Sequence, residues 1–466
     1  MNIIKEIISV GIDIGTTTTQ IIFSKLSVQN TASLFLVPKV KITDKKIIYK
    51  SQIYFTPLLE AAKIDLNALK LILEQEYEKA NIDKSLISTG AVIITGETSR
   101  KENAEEVINF LSEYAGDFVV ATAGPDLEAI LAGFGAGAAE LSKNVSSKVI
   151  NFDIGGGTTN AAIFWDGDTL DAFALDIGGR LIKFDEAGKV IYISNRLNKI
   201  ISSLNLNIKL YSKPVFSELK ILTDSFARVF FNINNCVPLE THMEELFITH
   251  GTKGISSEII MFSGGVAEFI YSKEEITSME RVLRFGDIGP LLGYSIRELL
   301  ESSNYKIYEP KEKIRATVIG AGSHSLKISG STIIYEEDIL PLKNIPIIKI
   351  SELENLDESI KNKNNIYGNE LTAIAFKGPK SPSYLEIKSM AKSISLAFEK
   401  NYNPILIIVE NDFAKALGQT LKNMLPSSNK VICLDNIKVD NGDYIDIGKP
   451  IASVIPVVVK TLIFKN

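Results

Sequence analysis

Cysteine is nearly absent: Cys236 and Cys433 are the only two in 466 residues, and they lie too far apart to form a Cys-x-x-Cys pair. Neither a zinc ribbon nor a cluster-binding site is suggested. The plain reading is two buried thiols in a reducing cytoplasm. Histidine is as sparse, with His242, His250 and His324 lacking metal-site spacing, so each is read as a surface or core residue. The single tryptophan, Trp165, is read as packing. No G-x-x-x-x-G-K-[ST] occurs, so a P-loop is not expected. Long apolar runs are missing too. The most apolar stretch, Ile451–Phe464, is interrupted by Pro456 and Lys460 and falls short of the ~20 residues that span a bilayer. The opening MNIIKEIISVGIDIG has no basic leader and no cleavage site and runs straight into a strand pattern. A formal net charge of −6 argues against a general nucleic-acid or membrane binder. A cytoplasmic protein with ordinary globular composition is expected.

What is present is a repeat of pattern. Val10–Phe23 reads VGIDIGTTTTQIIF and Ile150–Phe164 reads INFDIGGGTTNAAIF. Aligned on the aspartate, Asp13 matches Asp153, Gly15 matches Gly155, Thr18-Thr19 match Thr158-Thr159, and Gln20 falls opposite Asn160. Each copy reads as a β-hairpin with a glycine/threonine tip. Two such hairpins far apart predict two lobes on one plan, in a chain long enough for several domains. Lobe one is placed at 1–140, lobe two at 141–337 and a further α/β region at 338–466. Helices are predicted over Leu66–Ala80, capped by Asp65, over Asn103–Glu113, Phe216–Asn232 and Phe413–Met424. Strands are predicted near Lys46–Phe55, Ala91–Thr95, Phe118–Thr122, Glu258–Phe262, Pro404–Glu410 and Lys430–Leu434. Between the lobes, GPDLEAILAGFGAGAAEL (Gly124–Leu141) reads as a helix whose small residues allow close backbone approach at a hinge. The basic Lys41–Lys50 is read as a solvated strand face, and Leu353–Asn369 as an exposed loop.

The doubled D-I-G-x-x-T-T carries the chemistry. Small residues at a hairpin tip let main-chain N–H groups turn toward an anion, and threonine hydroxyls add donors. Gly15, Thr16, Thr17 and Thr18 in one copy, and Gly155, Gly156, Gly157, Thr158 and Thr159 in the other, are the candidate phosphate grip. Asp13 and Asp153, each just before its loop, are candidates to converge on one Mg²⁺, largely through water. Ser263-Gly264-Gly265, after an apolar strand, is suited to a backbone passing close over a purine and ribose. Gly320-Ala-Gly322-Ser-His-Ser after Ala316–Ile319 hints at a dinucleotide fingerprint. The third glycine is missing, however, and a strand followed by a turn joining the lobes is expected there instead.

These residues resemble the phosphate-1, phosphate-2 and adenosine motifs of the actin/Hsp70/sugar-kinase superfamily, and Gly124–Leu141 resembles its first connecting helix. Within it the chain is most similar to the ethanolamine ammonia-lyase reactivating factors, the EutA family. The likeness rests on SVGIDIGTTTTQIIF (Ser9–Phe23), TGETSRKENA (Thr95–Ala104), TAGPDLEAILAGFGAGA (Thr122–Ala138), FSGGVAE (Phe262–Glu268), GDIGPLLG (Gly286–Gly293) and RATVIGAGSHSLKISGS (Arg315–Ser331). The resemblance implies a two-lobed actin-like ATPase with duplicated ribonuclease-H-like lobes, using ATP and Mg²⁺. It also implies release of damaged cobalamin from ethanolamine ammonia-lyase, in the cytoplasm or with a bacterial microcompartment; a homodimer is compatible with it. The superfamily places a water-positioning carboxylate near the first connecting helix. Glu128 is preferred for that role beside the catalytic Asp153, with Asp126 read equally as a helix cap. Glu97 and Arg100 are read as salt-bridge partners in a turn. Fold alone would also admit a small-molecule kinase, a hydantoinase-like enzyme or an actin-like filament protein.

Overall fold

The computed structural model describes residues 4–15, 18–30, 40–60, 63–94, 103, 106–107, 110–111, 120–122, 124–248, 250–324, 327–329, 333–350, 371–398, 404–439, 443–450 and 454–461. Thr16, Thr17, Glu97, Arg100, most of Asn103–Glu113 and the predicted loop Leu353–Asn369 lie outside them.

Two sheets repeat one topology. The first contains β1 (Ile4–Ile14), β2 (Thr18–Asn30), β3 (Val40–Lys50), the short β4 (Tyr54–Phe55), β5 (Ile87–Ile94) and β6 (Val120–Thr122). Its order is β3-β2-β1-β5-β6, with β4 on β2. The first three strands are antiparallel, and β5 and β6 run parallel to β1. Between β4 and β5, α1 (Leu66–Ala80) buries Leu69, Leu73 and Tyr77, and Asp65 caps it by accepting from the N–H of Asn67 and Ala68. The second sheet contains β7 (Val149–Ile154), β8 (Thr159–Trp165), β9 (Asp168–Leu175), β10 (Ile259–Ser263) and, later, β11 (Lys306–Ile307). It has order β9-β8-β7-β10-β11 and the same strand senses. This duplicated order is the ribonuclease-H-like plan, and the molecule has the two-lobed α/β fold of actin-like ATPases. Every residue of β7 is buried, as the centre of a sheet covered on both faces requires.

Helices fill the space between the sheets. The Gly124–Leu141 segment is two helices, α2 (Pro125–Ala136) and α3 (Ala138–Val145), divided at Gly137, whose φ of +86° only glycine adopts without strain. Beyond them, α4 (Phe216–Asn234) and α5 (Gly289–Glu301) cover the outer face of the second sheet. The segment predicted as strand and turn at 316–322 is instead α6 (Ala316–His324). Its β-branched start misled the local pattern, because its glycines serve a helix crossing. A Cβ built on Gly320 would lie 1.9 Å from the Leu131 carbonyl oxygen, and one on Gly135 would lie 1.8 Å from that of Ala316. While α2 packs on β7, β8 and β9, α6 packs on β1, β2 and β5. The two lobes therefore meet through backbone-to-backbone contact of α2 with α6.

A third sheet follows. It is built from β12 (Lys327–Ile328), β13 (Leu342–Lys349), β14 (Ala373–Phe376), β15 (Ile405–Val409), β16 (Val431–Leu434), β17 (Asp443–Ile447) and β18 (Pro456–Thr461). Its order is β12-β18-β17-β13-β14-β15-β16, so its first strand precedes residue 338. The parallel strands β13 to β16 carry α7 (Tyr384–Ala397) and α8 (Ala414–Met424) as crossovers. A capping box of Ser383 and Glu386 starts α7. Among the described residues no helix is long and apolar enough to cross a membrane. Two local expectations are corrected. Cys236 is exposed, on a turn residue with φ +55°, and only Cys433 is buried. Trp165, at the far end of β8 from the loop, is 42% exposed rather than packed.

Candidate functional site

The two hairpin tips close identically. Gly15 N–H donates to the Thr18 carbonyl at 2.9 Å, and Gly155 N–H donates to the Thr158 carbonyl at 2.9 Å. In the ladders, Asp13 pairs with Gln20 and Asp153 with Asn160. Each aspartate therefore sits two residues before the glycine that closes its turn. Period-two alternation sends Ile12, Ile14, Phe152 and Ile154 into the cores of their lobes and the aspartates to the opposite side.

Between the lobes lies a cavity of about 370 Å³ lined from both sides. Lobe one contributes Asp13, Gly15, Thr18 and Gln20; lobe two contributes Asp153, Gly155, Gly156, Gly157, Thr158, Gly264 and Gly265; α2 contributes Glu128. Two predicted contact residues lie beneath this wall. The Thr159 hydroxyl is fully buried and donates to the Ile177 carbonyl at 2.7 Å. Ser263, also fully buried, donates to Asp153 Oδ1 at 2.5 Å and accepts from Asn151 Nδ2 at 2.9 Å. Ser263 reaches Asp153 because the parallel β7–β10 register sets them side by side. Thr19 is the lobe-one counterpart of Thr159, bonded to the Thr56 hydroxyl at 3.1 Å. In each threonine pair the first residue faces the cavity and the second braces the loop. Gly264 has φ +84°, and a Cβ there would lie 2.4 Å from the Ile154 carbonyl oxygen. Glycine thus lets the adenosine-type turn lie against the second phosphate-type loop.

The Asp153 carboxyl is pushed up to about 6 by burial, against the hydrogen bonds from Ser263 and Thr317. Thr317, on α6, donates to Asp153 Oδ2 at 3.3 Å, so the helix packed on lobe one holds the aspartate of lobe two. The lobes are tied again by Gln20 Nε2 donating to the Ile314 carbonyl at 3.2 Å and by Arg315 Nη2 donating to the Ser51 carbonyl at 2.9 Å. Asp126 does not cap α2: the cap residue is Gly124, with no side-chain bond. Asp126 lies 2.9 Å from His250 Nε2, and His250 Nδ1 lies 2.9 Å from the Gly251 carbonyl. The Asp126 bond, more than any other group, raises the imidazole above its ordinary value. An Asp126→Asn protein should therefore show His250 titrating at lower pH when followed by NMR.

Sequence reasoning missed Arg180, Asp287, Glu268 and Thr317, all of which line the cavity. Arg180 Nε donates to Asp287 Oδ2 at 3.1 Å. Burial raises the Asp287 carboxyl, opposed by the Gly289 N–H and by Arg180. None of these residues belongs to the hairpin repeat; Glu268, Asp287 and Thr317 lie in segments that carry the family resemblance, and Arg180 lies in none.

The donor set suits a hard, hydrated cation. Among the described residues no group of three or more His, Cys, Asp or Glu side chains is placed to hold a metal ion. Asp13 and Asp153, both buried, instead face one cavity, and Asp153 is destabilised in its ionised form. Mg²⁺ characteristically takes one or two carboxylates and completes its shell with water and phosphate.

A family profile described as "Ethanolamine utilisation protein EutA" matches residues 5–465. The "Ethanolamine ammonia-lyase reactivase EutA" of Salmonella typhimurium is 34% identical over 479 residues, covering 99% of each chain. The protein of the same name from Escherichia coli is 34% identical over 477 residues, also covering 99% of each. Among solved structures, an Aquifex aeolicus Ppx/GppA family member aligns at TM-score 0.42 and 16% identity, over 68% of this chain and 97% of that one. Ethanolamine utilization protein EutJ from Carboxydothermus hydrogenoformans aligns at TM-score 0.32 and 13% identity, over 68% of this chain and 89% of that one. The duplicated loops thus sit in a chain that matches its relatives from end to end: it belongs to the EutA family.

Proposed function

We propose that the chain is an ATP-dependent reactivating chaperone that releases damaged cobalamin from adenosylcobalamin-dependent ethanolamine ammonia-lyase, so that intact cofactor can bind. The observation that carries the reading is one cavity gripped by two identically closed glycine/threonine loops, each preceded by a buried aspartate. The end-to-end likeness to reactivases supports the client.

In this reading the main-chain N–H groups and hydroxyls of the two loops hold the phosphates, and Gly264 and Gly265 face the nucleoside. Asp13 and Asp153 hold Mg²⁺, which when bound neutralises charge on the phosphate oxygens. Glu128, at the start of α2, orients the attacking water and accepts its proton. A bond forms between water oxygen and the terminal phosphorus, the bridging P–O bond breaks, and ADP and phosphate result. Loss of the terminal phosphate relaxes the two loops, and the α2–α6 crossing carries that change between lobes. The third sheet, beyond the nucleotide motifs, is the surface offered to the lyase.

The test is recovery of cyanocobalamin-inactivated ethanolamine ammonia-lyase with this protein, adenosylcobalamin, Mg²⁺ and ATP. Recovery that needs ATP and fails with Asp13→Ala supports the reading; no recovery despite ATP binding overturns the chaperone role. Glu128→Gln should lower ATP turnover about a hundredfold or more with nucleotide affinity retained, read by steady-state phosphate release and calorimetry.

A further inference from the structure

We propose that Arg180 is the residue that contacts the terminal phosphate of a bound nucleoside triphosphate, oriented by Asp287 on its own lobe and flanked by Phe55 of the other lobe. The inference rests on the ATP reading above and adds to it how triphosphate is told from diphosphate. Among the described residues lining the cavity Arg180 is the only Lys or Arg, and the carboxylates of Asp13, Glu128, Asp153, Glu268 and Asp287 line it too. A polyphosphate entering that acidic space meets one fixed side-chain cation. The position of Arg180 is tied to the second loop, because its main-chain N–H donates to the Gly156 carbonyl at 2.6 Å and that of Gly179 donates to the Gly155 carbonyl at 3.0 Å. The segment after β9 is thereby stitched to the phosphate grip.

The guanidinium is held on two sides. Its Nε is taken by Asp287, whose other oxygen accepts the Gly289 N–H at 2.8 Å. The ring of Phe55 lies 5.9 Å from the guanidinium carbon. Phe55 belongs to lobe one, where β4 pairs with β2 at Thr18, and the next residue, Thr56, donates to the Gly15 carbonyl at 2.7 Å. Arg180 therefore stands between the strap of the first loop and the body of the second. Its two terminal nitrogens donate to no protein group among the described residues. A planar fork with its Nε end anchored by a carboxylate, an aromatic ring within cation–π range and its terminal donors directed to no described protein group is arranged for bidentate phosphate recognition.

The test compares affinities for ATP and ADP, each with Mg²⁺, by calorimetry, together with single-turnover hydrolysis. Arg180→Gln should lose ATP affinity about tenfold or more while ADP affinity changes less than twofold, and hydrolysis should fall roughly a thousandfold. Retained stabilisation of its melting by ADP shows that the site is folded. Arg180→Lys keeps the charge without the anchored fork and should fall between parent and Arg180→Gln in its ATP-to-ADP ratio; it also serves if Arg180→Gln does not fold. Asp287→Asn should shift that ratio in the same direction, which a purely structural role would not do. An unchanged ratio in Arg180→Gln or Arg180→Lys, or equal losses for both nucleotides, overturns the assignment and leaves the ATP reading standing. A parent protein that binds neither nucleotide overturns both.

Discussion

Asp153→Asn protein, free of nucleotide, should be more stable than the parent at pH 8 and yet fail to turn over ATP. The cause is the environment that makes Asp153 useful. Burial raises its carboxyl from 3.8 to about 6, so the folded state disfavours the ionised form that neutral pH imposes. The sign follows from linkage. The stability associated with the protonated acid is complete below about pH 4 and is lost as pH rises through about 6. At about 1.4 kcal/mol per unit, the parent gives up about 3 kcal/mol by pH 8. A neutral asparagine gives up none, and it can keep its oxygen toward Ser263 and its amide toward the Thr317 hydroxyl. Denaturant titrations of both proteins at pH 4 and pH 8 check this: the difference should be small at pH 4 and several-fold larger at pH 8. Equal stability of the two proteins at pH 8 would show that Asp153 is not held against ionisation. With Mg²⁺ and ATP the ranking should invert, because ligand binding stabilises only the protein that can complete the site.

Gly320→Ala and Gly135→Ala should each be severely destabilising and abolish turnover, although neither residue lines the nucleotide cavity. By helix propensity alone alanine should help, by about 1 kcal/mol in a helix interior. The crossing decides otherwise. The new methyl would sit 1.9 Å from the Leu131 carbonyl oxygen in one case and 1.8 Å from the Ala316 carbonyl oxygen in the other. Both obstacles are backbone, so no rotamer change relieves them and α2 must separate from α6. Ordinary overpacking costs about 1–3 kcal/mol, and displacing a helix pair that joins two lobes should exceed it. Gly251→Ala, where a Cβ meets nothing within 4 Å, is the control and should leave melting and turnover near the parent's. Normal ATP turnover in folded Gly320→Ala protein would show that lobe coupling does not pass through this contact.

Much of the site was legible in the sequence because its signals are local. A hairpin tip is specified by the residues that form it. Asp13–Thr19 and Asp153–Thr159 share the pattern D-I-G-x-x-T-T, and both turns close with the same hydrogen bond. The helices α1, α4 and α8 also followed from apolar spacing within single segments. Other features depend on partners distant in the chain. That the Thr159 hydroxyl reaches the Ile177 carbonyl and Ser263 reaches Asp153 depends on strand register and burial. Ala316–His324 is a helix because glycine at a crossing is worth more than its local propensity, a gain that exists only when α2 lies opposite. Arg180 and Asp287 meet across 107 positions, and Phe55 approaches from the other lobe. By itself the sequence determined two phosphate-type loops and the residues flanking them. The tertiary structure decided which lobe each connecting helix covers and which cation stands between the loops, because close backbone contact and desolvated charge arise only when distant segments pack.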